Sequence, residues 1–399
     1  MVGSPSPAAP ANARARPHLA HVDGMRALAA LVVFVNHAYA QAWDPVAHLQ
    51  GNGIFAPLKV AMVAGHLSVT VFIVISGFCL ALPVIAAGGE LRGGAFSFFK
   101  RRARRILPPY FGAVALCLAL IYTVIGDKTG TLWDFPIRVK DPGTTKIAII
   151  SHLLLVQDLY GTSKINYVFW SIAVEWHIYF FFPLFVWAYR KLGPKVVVPA
   201  VFLAGYALRI GLADTRVHRA APHFLGMFML GVLAAHISYA PGDGYERARD
   251  RFPWALVGGA ALAAIAAIIG WYGIEGATEH FYVLDLPAGI LATSMLVLSS
   301  RPNGGALHRA LSWKPLAAIG TFSYSIYLIH APLLQLVWQY VLKPAGASAN
   351  QMLAFLLTVG LAFVIGVSYL FFRVLEQPFM KAPAKRRPPQ EGAAPAPVT

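Results

Sequence analysis

Residues 65–87 read GHLSVTVFIVISGFCLALPVIAA, a run of 23 residues without Asp, Glu, Lys or Arg. About 20 apolar residues in a helix are enough to cross the hydrocarbon core of a bilayer. The run is continuous rather than alternating, which favours a membrane-spanning helix over a strand of a membrane β-barrel. This stretch predicts an α-helical membrane protein, and comparable runs recur along the chain.

The composition of the whole chain agrees with this prediction. Of its 399 residues, 57% are hydrophobic and 13% are charged, whereas soluble domains carry about 25% charged residues. So few charges cannot cover a water-exposed surface. We therefore predict an all-α integral membrane protein with about ten transmembrane helices. The predicted spans lie at approximately residues 27–43, 65–87, 106–125, 168–190, 195–213, 221–238, 253–272, 281–300, 317–342 and 350–373.

The two ends of the chain and one internal stretch differ from these apolar runs. Residues 1–20 and 381–399 are rich in Pro and Ala and predict disordered tails, which leaves 21–380 as one transmembrane domain. Within the long loop 126–167, the moderately apolar residues 147–160 predict a short re-entrant or interfacial helix. An eleventh span there would invert the topology of everything that follows.

The distribution of basic residues predicts the topology. The formal net charge is +16, which in a soluble protein would suggest nucleic acid as a partner. About 23 of the 33 Lys and Arg residues fall in the tails and loops on one side of the ten predicted spans. Cytoplasmic loops carry such an excess. We predict a multi-pass protein of the cell inner membrane with both termini in the cytoplasm, no eleventh span and no nucleic-acid partner.

Motifs of soluble enzymes are absent from the sequence. It contains no P-loop, no dinucleotide-binding fingerprint, no HExxH and no GxSxG. The two cysteines, Cys79 and Cys117, lie inside apolar runs and form no CxxC pair, so no metal site is predicted. Any chemistry must take place at membrane level or directly beside it.

The first predicted span carries two ionisable residues. Arg26 and His37 are eleven residues apart, which on a helix is three turns, about 16 Å, and nearly the same face. Ionisable residues within spans are costly and often functional. A plainer interpretation is that Arg26 anchors the topology and His37 makes a structural hydrogen bond.

A basic run precedes the third predicted span. Five of the six residues from Lys100 to Arg105 are basic, and most of them suit a cytoplasmic anchor. Arg102 and Arg105, spaced i, i+3, share one helix face and could grip a phosphorylated ligand, because guanidinium groups match phosphate geometry. The following Pro108 and Pro109 predict the start of the span.

The stretch 168–184, VFWSIAVEWHIYFFFPL, places Glu175 inside an aromatic helix with Tyr179 one turn on. A Glu in hydrocarbon needs a partner or a proton. It either bonds a neighbouring helix or is a functional carboxylate that orients a His or binds a hydroxyl. Other spans contain polar residues that indicate function more weakly. These residues, which also suit interhelical hydrogen bonds, are Ser76, Ser323, Tyr324 and His330.

These residues suit two classes of function. A His, a buried carboxylate and a cytoplasmic Arg pair fit the transfer of an activated group to an acceptor. They also fit a transporter or flippase, in which His and Glu line a translocation path. A non-catalytic scaffold would leave Glu175 and His37 unexplained. Composition alone does not separate the first two.

Five stretches together resemble the membrane acyltransferase 3 family, bacterial O-acyltransferases that modify polysaccharides and lipids. They occur in the family's order and cover the chain except for its tails. Met25, Ile73 and Ile172 depart from the commoner family residues by swaps of similar volume. The stretches are DGMR at 23–26 with His37 eleven residues on, FIVISGF at 72–78, RARRILP at 102–108, WSIAVE at 170–175 with Tyr179 and Pro183, and FSYSIYLIH at 322–330.

The resemblance implies a ten-helix core that moves an acetyl or other short acyl group from cytoplasmic acyl-CoA, by default acetyl-CoA, to a hydroxyl of a cell-envelope or exported saccharide. It implies catalytic roles for His37, Glu175 and Arg26, with His37 as base or covalent acyl relay, and binding of CoA phosphates by Arg102 and Arg105. Expected partners are membrane lipids and a saccharide or lipid-linked acceptor, and the protein is expected to act alone or with a separate extracytoplasmic protein. Supporting or substrate-contacting positions would be Asp23, Ser76, Trp170, Tyr179, Ser323, Tyr324 and His330.

Overall fold

The computed structural model of the protein describes residues 19–43, 56–125, 142–160, 164–301 and 305–380. The predicted tails lie outside these ranges, apart from residues 19 and 20. Within the described ranges the chain forms helices and no strand. In chain order they are α1 (Ala20–Ala42), α2 (Pro57–Ile85), α3 (Gly94–Ile125), α4 (Pro142–Leu154), α5 (Gln157–Tyr160), α6 (Trp170–Leu192), α7 (Pro194–Gly211), α8 (Arg216–Tyr239), α9 (Asp243–Asp250), α10 (Trp254–Glu279), α11 (Phe281–Ser299), α12 (Gly305–Leu311), α13 (Lys314–Thr321), α14 (Ser323–Leu342) and α15 (Ala349–Met380).

Nine helices of the described residues are long and apolar enough to cross a membrane, which confirms the prediction of an all-α membrane protein. They correspond to nine of the ten predicted spans. The remaining predicted span, 27–43, belongs to α1, whose 23 residues rise about 34 Å. Because α1 carries Asp23, Arg26, Asn36 and His37, it is less apolar than the other nine.

The loop between α3 and α6 contains two short helices. α4 has 13 residues and α5 has four. A 13-residue helix rises only about 20 Å, too little to cross a bilayer. The stretch predicted at 147–160 is therefore helical but is not an eleventh span; residues 126–141 lie outside the described ranges.

The basic run before the third span is itself helical. α3 begins at Gly94 and runs through Pro108 and Pro109, so the expectation that these prolines open the span is wrong. Pro residues are tolerated inside membrane helices because neighbouring groups satisfy the freed backbone carbonyls. The longer helix places Arg102 and Arg105 on a rigid element.

Helices α2 and α8 pack closely through two glycines. A Cβ added to Gly77 would overlap the carbonyl oxygen of Phe228, and a Cβ added to Gly231 would overlap that of Val74. Small residues let membrane helices approach each other in this way. The contact fixes the position of α2, which carries residues of both cavities described below.

Burial distinguishes central from peripheral spans. In α14, 83% of the span is buried inside the protein, against 17% in α7. Large apolar side chains on α7 point outward, Leu203 and Ile210 being 65% and 64% exposed, as lipid-facing residues do. The polar residues of α14 therefore lie at the centre of the helix bundle.

Candidate functional site

A cavity of about 350 Å³ lies among the N-terminal parts of α1, α3 and α14, the C-terminal half of α2 and the N-terminal half of α6. We call it the first cavity. Five sequence motifs that are far apart in the chain meet there. The predicted site residues that line it are Asp23, Arg26, Ser76, Arg102, Arg105, Glu175, Tyr179, Ser323 and Tyr324.

Arg26 is held at the wall of this cavity by two contacts. Its Nη1 donates to Oδ1 of Asp23 at 3.2 Å, and its Nη2 lies 3.3 Å from Sγ of Cys79. Asp23 precedes Arg26 by three residues, so both side chains share one face of α1. The guanidinium is thus fixed in direction, with the side chain 24% exposed.

Glu175 is the acceptor at the end of a short hydrogen-bond chain. The Tyr179 hydroxyl donates to Glu175 Oε1 at 2.5 Å, one turn along α6. The Ser76 hydroxyl lies 3.1 Å from the same Tyr179 oxygen and donates to it, since the Tyr proton is already engaged. The chain leaves the other carboxylate oxygen of Glu175 available to the cavity.

Arg102 and Arg105 bring positive charge to the opposite wall. They are one turn apart on α3, and both line the first cavity. Nε of Arg102 is buried and has no hydrogen-bond partner among the described residues. A buried cationic donor without a partner is costly unless a ligand completes it, so this wall suits an anionic group.

His37 lies deeper in the bundle and does not line the first cavity. Its Nδ1 is 2.9 Å from Nε2 of His330. Nδ1 of His330 is 3.0 and 2.9 Å from the carbonyl oxygens of Ile326 and Tyr327, so it must carry a proton. With both rings neutral, His330 Nε2 is then an acceptor and His37 Nδ1 the donor. His37 Nε2 therefore has a free lone pair.

Four rings form a series through this region. The Tyr327 ring, which lines the first cavity, is 5.9 Å from the His330 ring, and His330 stacks on His37 at 5.1 Å. The His37 ring is in turn 4.9 Å from the ring of Tyr167. Tyr167 lines another cavity, so the two histidines lie between the two.

This second cavity has a volume of about 370 Å³ and lies among α5, the N-terminal parts of α2, α6 and α11, and parts of α7, α8 and α10. Its wall includes His66 on α2 and Trp170 on α6, which are three and one residues from Val69 and Ser171 of the first cavity. On a helix these separations are about 4.5 and 1.5 Å. The two cavities therefore approach each other near the N-terminal ends of α2 and α6.

A buried carboxylate organises the second cavity. Asp285 on α11 is fully buried and contacts Nε2 of His223 at 2.9 Å and Nε2 of His66 at 3.3 Å; it also accepts from the Thr70 hydroxyl. The sequence reasoning missed this cluster. Asp285 and His66 both fall within predicted spans, where an ionisable residue is itself a functional signal.

Two further residues line the cavities. Trp170, which was predicted as a supporting or substrate-contacting position, lines the second cavity. Glu376, which was not predicted, lines the first cavity and accepts a hydrogen bond from the Ser325 hydroxyl at 2.6 Å. It was overlooked because the last span was expected to end at 373, whereas α15 continues to Met380.

As a functional carboxylate, Glu175 was expected to orient a His or to bind a hydroxyl. The structure places Glu175 in the first cavity with Arg26 and gives His37 the ring of His330 as its hydrogen-bond partner. The described residues contain no group of three or more His, Cys, Asp or Glu side chains that could hold a metal ion.

Comparison with known proteins gives a family match and several distant relatives. The family model for an acyltransferase domain matches residues 19–373. The O-acetyltransferase OatA of Staphylococcus aureus is 23% identical over 386 residues, which are 91% of this chain and 57% of that protein. The chain thus spans a little over half the length of that relative.

Two other relatives are matched along almost their whole length. Nodulation protein 10 of Rhizobium leguminosarum bv. viciae is 25% identical over 396 residues, 93% of this chain and 96% of that protein. The acyltransferase MdmB of Streptomyces mycarofaciens is 22% identical over 422 residues, 96% of each chain. No solved structure matches the chain.

Proposed function

The chain belongs to the acyltransferase 3 family, whose model matches residues 19–373, and we propose that it is a membrane O-acyltransferase. It moves an acetyl or other short acyl group from acyl-CoA to a hydroxyl of a saccharide of the cell envelope or of an exported product. Relatives named as an O-acetyltransferase and an acyltransferase support this proposal.

The observation that carries the proposal is the series of rings between the two cavities. His330 and His37 lie between Tyr327 of the first cavity and Tyr167 of the second. The acyl end of a donor in the first cavity would extend past Tyr327 toward the two imidazoles, which lie between it and an acceptor in the second cavity. This arrangement suits group transfer, which needs both reactants beside one catalytic group.

The donor occupies the first cavity. Arg102 and Arg105 bind phosphates of acyl-CoA, with Nε of Arg102 among the donors. The excess of basic residues in the loops on this side supports a cytoplasmic location for it, and acyl-CoA is found in the cytoplasm. Arg26 and Glu175 line the path between the phosphates and His37 and position the pantetheine arm by hydrogen bonds.

His37 provides the chemistry through Nε2. It accepts the proton of the acceptor hydroxyl as the oxygen attacks the thioester carbonyl. The C–O bond forms, the C–S bond breaks, and the thiolate leaves as CoA after taking the proton from His37. If the acyl group instead rests on Nε2 first, mixing labelled acyl-CoA with the protein without acceptor will leave a label on His37 after rapid denaturation at neutral pH.

The test is mass spectrometry of envelope and secreted glycans from cells with and without the gene. We expect one ester-linked acyl mass to disappear and to return with wild type but not with His37→Ala. Glu175→Gln should also lower acylation, because its carboxylate lines the donor path; a scaffold would tolerate it.

An unchanged acylation profile together with intracellular accumulation of a lipid-linked saccharide would refute the proposal in favour of a flippase. A measurement of acyl-CoA binding and consumption by purified protein in detergent also distinguishes the two functions. An acyltransferase binds and consumes acyl-CoA, whereas a flippase does neither. Both variants must be present in the membrane at wild-type amounts for the comparison to count.

A further inference from the structure

The second cavity contains buried polar atoms that have no partner within the described part of the protein. Oε1 of Gln157 and Nδ1 of His223 are in this state, and the two residues are 0% and 3% exposed. Nε2 of Gln157 donates to the carbonyl of Phe169 at 2.8 Å, which fixes the amide orientation. Buried acceptors without partners are costly, so this cavity is built for a ligand.

Asp285 sets the hydrogen-bonding character of both imidazoles at the cavity. A carboxylate only accepts, so Nε2 of His66 and Nε2 of His223, at 3.3 and 2.9 Å, carry the protons. Nδ1 of each neutral ring is then an acceptor. Together with Gln157 Oε1, the cavity offers several acceptors, which call for a ligand rich in hydroxyl donors.

Aromatic rings form the other part of the wall. His66 lies 3.8 Å from Phe281, 5.8 Å from Trp170 and 6.2 Å from Phe224, between ring centroids, in stacked geometry. All four residues line the cavity. Flat apolar surfaces beside a few fixed polar atoms are typical of small-molecule sites, and a volume of about 370 Å³ is within the usual range of about 300–1,000 Å³.

The charges of the cavity are largely matched. Asp285 is paired with two histidines, and Asp158 lies 3.3 Å from Nδ1 of His177. Arg209 donates to the carbonyl of His218 at 2.9 Å, and its buried Nε has no partner among the described residues. The wall carries three carboxylates, Asp158, Glu279 and Asp285, against two guanidinium groups, Arg209 and Arg219, so it does not favour a strongly anionic ligand.

We propose that the second cavity binds the acyl acceptor as a neutral, hydroxyl-rich saccharide ring. The ring lies against Trp170 and Phe281, and its hydroxyls donate to His66, His223 and Gln157. This inference rests on the proposed function. The Tyr167 ring, which lines the cavity, is 4.9 Å from the ring of His37, so a hydroxyl of the bound saccharide is close to the catalytic imidazole.

The experiment uses His66→Phe, because Phe preserves the stacked ring and removes both ring nitrogens. Methyl glucoside, methyl galactoside and methyl N-acetylglucosaminide serve as probes with the full-length protein in detergent. Carbethoxylation of His66 by diethyl pyrocarbonate is followed by mass spectrometry, with His236, on the cytoplasmic half of α8, as the internal control. Tetrahydropyran-2-methanol, a ring of the same size with one hydroxyl, is the matched control ligand.

We expect at least one glycoside in excess to protect His66 but not His236, and tetrahydropyran-2-methanol to protect neither. With that glycoside as acceptor, His66→Phe should raise its KM about tenfold, the loss of roughly one good hydrogen bond. The KM for acetyl-CoA should stay at its wild-type value, because acetyl-CoA binds in the first cavity.

A wild-type protein that consumes acetyl-CoA but shows no protection of His66 by any of the three glycosides refutes the inference and leaves the proposed function intact. Equal protection by tetrahydropyran-2-methanol refutes recognition of hydroxyls. A protein that neither binds nor hydrolyses acetyl-CoA refutes the proposed function itself. Should His66→Phe fail to fold, Trp170→Leu tests the stacking surface with the same measurements.

Discussion

Replacing His330 by Leu should slow catalysis while leaving donor binding intact. The substitution removes the acceptor 2.9 Å from Nδ1 of His37 and leaves a half-buried N–H without a partner. The imidazole can then rotate, or move its proton to Nε2, where the reaction needs a lone pair. Losing one such bond costs about 1–3 kcal/mol, which corresponds to a kcat reduced about 5- to 160-fold.

The assay is transfer of labelled acetyl from acetyl-CoA to a saccharide acceptor by protein purified in detergent. The KM for acetyl-CoA should not change, since His330 does not line the first cavity. His330→Gln is the matched control, because its amide oxygen can accept from His37 Nδ1; we expect it to recover most of the rate. His37→Ala sets the floor, a loss of about 10²–10⁴-fold for a general base.

Wild-type kcat in His330→Leu would refute the argument that this ring orients His37. A variant as inactive as His37→Ala would also contradict it, since it would indicate that His330 contacts the reacting atoms. A raised KM for acetyl-CoA with normal kcat would place His330 in the donor site.

Three further outcomes are expected. Arg102→Gln should raise the KM for acyl-CoA about tenfold by removing a charge-assisted contact to phosphate, whereas Arg101→Gln, on the exposed face of α3, should not; equal effects in saturation kinetics would contradict a specific role. Gly77→Ala should destabilise the protein by about 1–3 kcal/mol through overpacking and lower its unfolding temperature in detergent, while Gly259→Ala, which meets no neighbour, should change it little. Burial lowers the pKa of His152 on α4 to about 4 in the folded protein, whereas the pKa of a histidine in the unfolded chain is near 6.5. As pH falls, the unfolded chain therefore takes up the proton first. About 3 kcal/mol of folding stability should be lost between pH 6.5 and pH 4. His152→Leu should flatten that dependence in thermal unfolding, and an unaltered slope would disprove the assignment.

The membrane spans could be predicted because each one is encoded by a local run of apolar residues. A continuous apolar run such as 65–87 identifies a span without knowledge of any other part of the chain. The exact start of α3 could not be predicted from the sequence, because Pro108 and Pro109 are as compatible with a helix interior in a membrane as with a helix start. The cytoplasmic placement of both termini stays a prediction.

The candidate site was accessible to sequence reasoning only in part. Arg26, Arg102 and Glu175 are conspicuous as charges in or beside apolar segments, and the structure brings them to one cavity. The hydrogen bond between His37 and His330 joins residues 293 positions apart, and no local pattern encodes such a pairing. His66 and Asp285 each fall within a predicted span, but they are 219 positions apart, and no local pattern predicts that they meet.

The series of rings from Tyr327 through His330 and His37 to Tyr167 has a consequence for the energetics of the cell. A membrane across which a proton gradient is maintained must not contain a continuous aqueous passage between its two faces. Under the proposed function, a packed partition of side chains would let a small acyl group pass from donor to acceptor while both bulky molecules stay in their own cavities. Vesicles containing the protein should therefore hold a pH gradient as long as protein-free vesicles do, measured with an entrapped dye; rapid dissipation would mean that water is continuous from one face to the other.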